Sequence, residues 1–154
     1  MRKSAYTSPI KRVGLILVFA LVAFLFWKNY ERVFERIRYQ KIVEDEVHGL
    51  TKDQKEIIRK FAKIMKSEYG IVLKIKIYKD HIKPPRITVK TLFIGISPKR
   101  KEYIIIFPPL LKKAFSEQFV DYLKNKHFIL YIQKNEWQKG LMKCLLLIWE
   151  NLSK

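Results

Sequence analysis

Cysteine is nearly absent from the sequence. Cys144 is the only cysteine in 154 residues, so an intramolecular disulfide cannot form and a zinc site built from paired cysteines is excluded. The residue lies in the apolar run MKCLLL, residues 142–147. A thiol in such surroundings is expected to behave as a small, buried hydrophobic side chain.

Glycine and proline are also scarce, with five and six residues. The glycines never cluster, so the sequence has no phosphate-binding loop, no dinucleotide-binding fingerprint and no nucleophile elbow. The low content of both residues also excludes a long flexible linker. Hydrophobic residues make up 49% of the chain and aromatic residues 14%, which indicates a folded domain with a substantial core.

Residues that bind metals are few and unfavourably spaced. None of His48, His81 and His127 lies three or four residues from another histidine, so a helical metal-binding pair is excluded. His48 and His81 are expected to be solvated, and His127 to lie at a helix end. The acidic run Glu44–Glu46 is expected to be solvated and to balance nearby lysines, because consecutive carboxylates on a helix point in different directions. We predict no metal, no cofactor and no catalytic residue.

Acidic residues are greatly outnumbered by basic ones. The chain has 14 Asp and Glu against 32 Lys and Arg, which gives a net charge of +18. This excess favours an anionic partner, either lipid headgroups or nucleic acid, although it also serves solubility. Nucleic acid is the weaker prediction, because basic residues alternate with an aromatic one only near Lys74, Lys76, Tyr78 and Lys79.

One long apolar run is present near the start of the chain. Val13 to Trp27 contains no charged residue, and Arg12 and Lys28 bracket it. The run is shorter than the roughly 17–25 residues of a spanning helix, but snorkelling by the two basic residues supplies the missing length. We expect a basic tail over residues 1–12 and an uncleaved signal anchor over 13–28, because the run lacks a small-x-small cleavage site. The basic residues on the two flanks nearly balance, so the orientation stays open.

Residues 29–47 are predicted to form a helical stalk that continues from the membrane. Tyr30, Val33 and Ile37 recur at helical spacing, and charged residues cover the other faces. Such a stalk could pack on the domain or self-associate, but two heptads are too few to predict a coiled coil. The globular domain is expected to span residues 48–154.

Helical and strand patterns alternate within this domain. Thr51, with Gln54 at the capping-box position, predicts a helix start, and Gly70 predicts its end. The links between strands look too short for a parallel crossover, which needs about a dozen residues or more. The expected fold is α+β, with a three-stranded, mainly antiparallel sheet covered by about three helices. The remaining strands and helices are predicted over residues 71–78, 88–96, 102–107, 110–125 and 136–152.

Two stretches of the predicted domain are distinctive. Residues 50–54 lead through a helix to Tyr69–Leu73, and residues 128–141 read FILYIQKNEWQKGL. Together with the order of elements, these stretches resemble the TPM domain, which occurs in thylakoid-lumen photosystem II repair proteins and in membrane-tethered bacterial proteins. The second stretch is similar to the family's G-D-(aromatic)-x-x-G-L segment. The resemblance covers about residues 48–152. It implies a TPM-like fold and a domain outside the cytoplasm.

The sequence departs from the TPM pattern at two places. The short link Asp80–Arg86 replaces a helix that usually lies between the first two strands of the family. Pro108 and Pro109 stand where the family usually has a glycine-rich turn followed by an acidic residue. Some members of the family are phosphatases or bind divalent cations near that turn. The resemblance therefore implies the fold without that chemistry.

We expect a single-pass protein of the cell (inner) membrane whose domain is a non-catalytic interaction or accessory module without a small-molecule substrate. Its partner would be anionic lipid headgroups or a membrane protein. Two alternatives stay open: a degenerate TPM-type phosphatase that uses Asp80 and His81 as an acid/base pair, and a juxtamembrane nucleic-acid binder. The basic residues predicted to contact the partner are Lys63, Lys66, Lys74, Lys76, Lys99, Arg100 and Lys101.

Overall fold

A computed structural model describes residues 20–24 and 42–153 of the chain. Residues 20–24 are helical and belong to a unit over Met1–Arg38, while the rest belong to a second unit over Tyr39–Lys154. The predicted anchor, apart from residues 20–24, and the predicted stalk up to residue 41 lie outside the described residues. Within residues 20–24 and 42–153, no helix is both long and apolar enough to cross a bilayer.

The second unit has an α+β fold, as predicted, built on a four-stranded sheet with the order β1-β2-β3-β4. Strands β1, β2 and β3 run parallel, and β4 is antiparallel to β3. The described elements of this unit are β1 (Val43–Asp45), α1 (Lys52–Tyr69), β2 (Val72–Ile77), β3 (Thr91–Ser97), β4 (Glu102–Ile106), α2 (Pro109–Ala114), α3 (Glu117–Asn125), α4 (His127–Gln133) and α5 (Trp137–Leu152).

The mainly antiparallel sheet of the sequence prediction is wrong, because β2 and β3 pair in parallel. The error comes from the start of β3, which the sequence pattern predicts at Thr88 but which lies at Thr91. Thr88 instead forms a turn, in which its carbonyl accepts from the Thr91 N–H at 3.0 Å and the two hydroxyls lie 2.8 Å apart. Residues 78–90 are therefore free to cross between the strands, which is the length that a parallel connection requires.

The fourth strand, β1, lies where the sequence predicted the end of the helical stalk. Glu44 pairs with Lys76 in the parallel register of β1 and β2, and strand β1 forms one edge of the sheet. The globular unit therefore begins before residue 48, and the stalk prediction fails over Val43–Asp45. Helical periodicity misled here because a strand of only three residues gives almost no alternation signal.

Asp45 fixes the passage from β1 into α1. Its carboxylate accepts hydrogen bonds from the N–H groups of Gly49 (3.3 Å) and Leu50 (3.0 Å) and pairs with the Lys55 ammonium at 3.1 Å. The side chain is only 3% exposed. Burial by itself would raise the pKa of Asp45, but the Leu50 hydrogen bond, together with those of Lys55 and Gly49, lowers it below the ordinary value. The middle residue of the acidic run is thus a buried carboxylate and not a solvated one.

The helices cover one face of the sheet and enclose the core. Leu73, Ile75 and Ile77 of β2 belong to this core and are almost fully buried. Helix α1 has the predicted capping box at Thr51 and ends at Gly70. With a φ of 65°, Gly70 adopts the left-handed conformation, which favours glycine at a helix end. Cys144 is buried, as expected, and burial raises the pKa of its thiol.

The crossing segment, residues 78–90, covers part of the opposite face of the sheet. A side chain at Gly95 would meet the Ile82 side chain of this segment at 3.3 Å and the Ile104 side chain at 2.9 Å. The Tyr78 hydroxyl donates to the Lys83 carbonyl at 2.6 Å. The segment is therefore held against the sheet although it has no helix of its own.

The helix predicted over residues 110–125 is divided in two, and a further short helix follows. Helix α2 ends before Phe115, and Ser116 caps α3 by accepting from the Phe119 N–H at 3.3 Å. His127 starts α4 and is buried, with Nε2 donating to the Gly140 carbonyl at 2.9 Å. Burial lowers the pKa of His127 and thus favours the neutral ring. Its hydrogen bond to Gly140 links α4 to α5.

Replacing Asp45 by asparagine should destabilise the unit by about 2–3 kcal/mol at neutral pH. The change leaves a buried N–H and the Lys55 ammonium without their acceptor. Because the folded pKa of Asp45 lies below its ordinary value of 3.8, this stabilisation is present above that value and is lost as the pH falls through the folded pKa. Urea unfolding of the Tyr39–Lys154 unit, followed by tryptophan fluorescence at neutral and acidic pH, measures both effects.

Glu56→Gln is the matched control, because Glu56 forms an exposed pair with Lys60 on the same helix. Its loss should cost less than about 0.5 kcal/mol. Equal destabilisation by the two amide substitutions, or an Asp45→Asn effect that does not shrink in acid, would contradict the role given to Asp45.

Candidate polar site at the carboxyl edge of the sheet

The parallel pairing of β2 and β3 brings two predicted polar segments to the same edge of the sheet. Asp80 and His81 follow β2, while Lys99 and Arg100 follow β3 and Glu102 begins β4. We call these five residues the carboxyl-edge cluster. In open sheets with parallel strands, ligands bind outside the carboxyl ends of the strands. The position, more than any single residue, makes this cluster a candidate site.

His81 and Glu102 form the ordered half of the cluster. His81 Nδ1 lies 2.9 Å from Glu102 Oε1, and the other carboxylate oxygen of Glu102 accepts from the Ile82 N–H at 3.3 Å. Desolvation opposes ionisation of Glu102, but the hydrogen bonds from Ile82 and His81 lower its pKa. The partner of His81 is therefore an ionised carboxylate on a strand, whereas the sequence pointed to the neighbouring Asp80.

Asp80 and the hairpin tip form the open half of the cluster. Asp80 Oδ1 lies 4.0 Å from the Lys99 Nζ and 3.9 Å from the Arg100 Nε, and all three side chains are exposed. Lys101, also exposed, has a φ of 56° and closes the turn by donating its N–H to the Pro98 carbonyl at 3.3 Å. Pairs this long in water are weak, so an incoming anion could replace Asp80.

Ser97 lies at the end of β3, paired in register with Glu102. Its side chain is 0% exposed, and its hydroxyl has no hydrogen-bond partner among the described residues. A buried hydroxyl without a partner is costly. The burial of this hydroxyl could not be predicted from the sequence, because serine before proline is typical of an ordinary turn.

The predicted site residues Lys74 and Lys76 lie on β2, next to the acidic strand. Lys76 Nζ is 3.1 Å from Glu44 and 3.0 Å from Glu46, and Lys74 Nζ is 3.5 Å from Glu44. The hydrogen bonds from Glu46 and Glu44 raise the pKa of Lys76. Burial would raise the pKa of Glu44, but its bonds to the two lysines lower it. The charge of both lysines is thus largely balanced within the domain.

Lys63 and Lys66, also predicted to contact the partner, lie on an exposed flank of α1. They share this flank with Lys52 and Arg59, because spacings of seven, four and three residues recur on one side of a helix. Glu56 lies on the same flank, but its carboxylate is paired with Lys60. None of the four forms an ion pair with an acidic residue in the described part of the chain. We call Lys52, Arg59, Lys63 and Lys66 the α1 cationic stripe.

No known family model matches the sequence, and no curated protein matches it. The structure does match solved domains. It is similar to the N-terminal domain of a protein from P. gingivalis, with a TM-score of 0.61 and 12% identity, over 77% of this chain and 85% of that one. It also aligns with the N-terminal domain of the cg2496 protein from Corynebacterium glutamicum, with a TM-score of 0.49 and 16% identity, over 71% and 76%. The first likeness defines the class of the fold, an α+β domain shared with that bacterial protein.

Proposed function

We propose that the chain is a membrane-tethered interaction module of the TPM type, which holds an acidic surface of a membrane protein through the α1 cationic stripe. The fold likeness to a bacterial N-terminal domain and the two TPM-like stretches, residues 50–73 and 128–141, support the family. The apolar run Val13–Trp27 supports the tether.

The observation that carries this proposal is that acidic residues form ion pairs with the lysines of β2 but not with the α1 cationic stripe. Glu44 and Glu46 balance the lysines of β2, whereas the α1 cationic stripe has no acidic partner in residues 42–153. Four like charges on one helix flank repel one another, and an anionic partner relieves that repulsion. A binding surface of this kind favours fast, salt-sensitive association.

The tether adds to the affinity of such a surface. Only residues 28–41 separate the apolar run from the first described residue of the domain. Fully extended, they reach at most about 50 Å. A domain confined to this distance from the bilayer meets membrane-bound partners at a high effective concentration. Weak electrostatic contacts are then sufficient for a function at the membrane surface.

Reversing two charges of the stripe should weaken binding to an acidic polypeptide. For the Tyr39–Lys154 unit carrying Lys63→Glu and Lys66→Glu, we expect about tenfold weaker binding of fluorescent poly-L-glutamate, measured by anisotropy. Binding by the unchanged unit should fall steeply as NaCl rises from about 0.05 M to about 0.3 M, because the Debye length shortens.

The matched control reverses Lys60 and Lys139, which are exposed but already paired with Glu56 and Glu136. The net change of charge is the same as in the stripe variant. Equal losses in the two variants would show that only total charge matters, and this would contradict a defined binding surface on α1.

The carboxyl-edge cluster favours a second function, the hydrolysis of phosphate esters. The hydrogen bond between His81 and Glu102 orients an imidazole for proton transfer, and Lys99 and Arg100 could hold a phosphate.

Nucleic-acid binding gains no support from the structure. Tyr78, the aromatic residue near the β2 lysines, is 6% exposed and therefore cannot stack on a base.

If this second function is present, the unit should hydrolyse p-nitrophenyl phosphate, and His81→Ala should abolish the turnover. The reason is that His81, oriented by Glu102, would move the proton. Lys139→Ala, far along the chain on α5, should leave the rate unchanged. Absence of turnover with and without magnesium or manganese would remove the phosphatase hypothesis.

A further inference from the structure

Helix α4 exposes two large aliphatic side chains next to each other. Leu130 is 65% exposed and Ile129 is 42% exposed. Lys126 and Lys134 are exposed at the two caps of α4, and Gln133 is exposed in its last turn. The outer face of α4, defined by these five residues, therefore combines an apolar centre with cationic ends.

The exposure is not the result of a loosely held helix. The inner side of α4 is buried through His127, Phe128 and Ile132. His127 donates to the Gly140 carbonyl at 2.9 Å, and the Phe128 ring lies 5.2 Å from the Tyr103 ring of β4. With one side fixed in the core, the opposite side presents Ile129 and Leu130 to the surroundings in a defined orientation.

The charged residues of the outer face of α4 have one sign. Helix α4 contains no acidic residue, and the acidic groups that flank it along the chain are already engaged. Asp121 accepts a hydrogen bond from Asn125 at 2.6 Å, and Glu136 pairs with Lys139 at 2.6 Å. A second copy of the chain would bring the same cations together and be repelled. An anionic bilayer surface is complementary, since it offers phosphates to the lysines and an apolar interior to the aliphatic groups.

We propose that the outer face of α4 lies in the headgroup region of an anionic bilayer, with Ile129 and Leu130 inserted and Lys126 and Lys134 at the lipid phosphates. This contact rests on the proposed function, because the tether brings the domain to the membrane. It also orients the domain. Helix α4 packs beside β4, whereas α1 packs beside β1 and β2, at the other edge of the sheet. The α1 cationic stripe then stays available to a protein partner.

The test places an environment-sensitive fluorophore on the outer face of α4. Gln133→Cys introduces a reactive thiol there, while the native Cys144 is buried and its thiol pKa is raised, so it does not compete for the label. The full chain is incorporated into nanodiscs of phosphatidylcholine, with or without phosphatidylglycerol. Quenching by acrylamide, a neutral reagent, then reports the exposure of the label to water. Ser67→Cys on the exposed side of α1 is the control position.

In discs that contain phosphatidylglycerol, the label at residue 133 should be quenched roughly threefold less than in pure phosphatidylcholine discs. The label at residue 67 should not respond to the lipid. Adding Leu130→Ser and Lys134→Glu should restore full quenching at residue 133. Both changes are on exposed positions, and an unchanged circular dichroism spectrum checks that the domain is still folded.

Equal quenching at residue 133 in both lipids overturns the proposal, and so does protection that depends on the number of chains per disc, which would indicate a second copy as the occupant. A chain that does not enter discs contradicts the tether and hence the proposed function. The same label is then read after mixing the chain with phosphatidylglycerol vesicles. An unprotected residue 133 there overturns the α4 contact itself, and a protected one supports it.

Discussion

The pairing of an acidic strand with a lysine-bearing strand is the interaction on which the arrangement of this domain depends. Lys74 and Lys76 project from the same side of β2, where their like charges would repel. Glu44 on β1 and Glu46, which directly follows β1, lie within 3.5 Å of them. Because side chains alternate along a strand, Asp45 between them points the other way, towards the start of α1. Glu44 and Glu46 thus hold β1 at the sheet edge, and Asp45 positions the start of α1.

This pairing also determines which charges reach the surface unbalanced. The acidic run Glu44–Glu46 forms ion pairs with lysines of the same domain, so the basic excess is left on helix flanks and on the hairpin tip. The basic excess of the chain is therefore divided between two distinct surfaces of the domain. One, on α1, is mainly cationic and suits an acidic protein surface. The other, on α4, mixes lysines with exposed aliphatic groups, which suits a bilayer.

The sequence predicted those features that local chemistry decides. The α1 cap at Thr51, its end at Gly70 and the burial of Cys144 follow from short-range rules, and all are confirmed. It could not predict the parallel pairing of β2 and β3, because Thr88 and Val89 look like strand residues although they precede the strand. The residues of the candidate site could not be paired from the sequence for the same reason. The contact of His81 with Glu102 joins residues 21 apart, and only the correct strand order brings them together.

The most direct test of this charge arrangement is to measure, by mass spectrometry, the rate at which each lysine of the folded domain is acetylated. Ion pairing and partial burial should slow the acetylation of Lys74 and Lys76, whose side chains pair with Glu44 and Glu46. Lys63 and Lys66 should react as freely as lysines in an unfolded chain. If the lysines of β2 react as fast as those of α1, the acidic strand does not balance them, and the separation of charge proposed for this protein is contradicted.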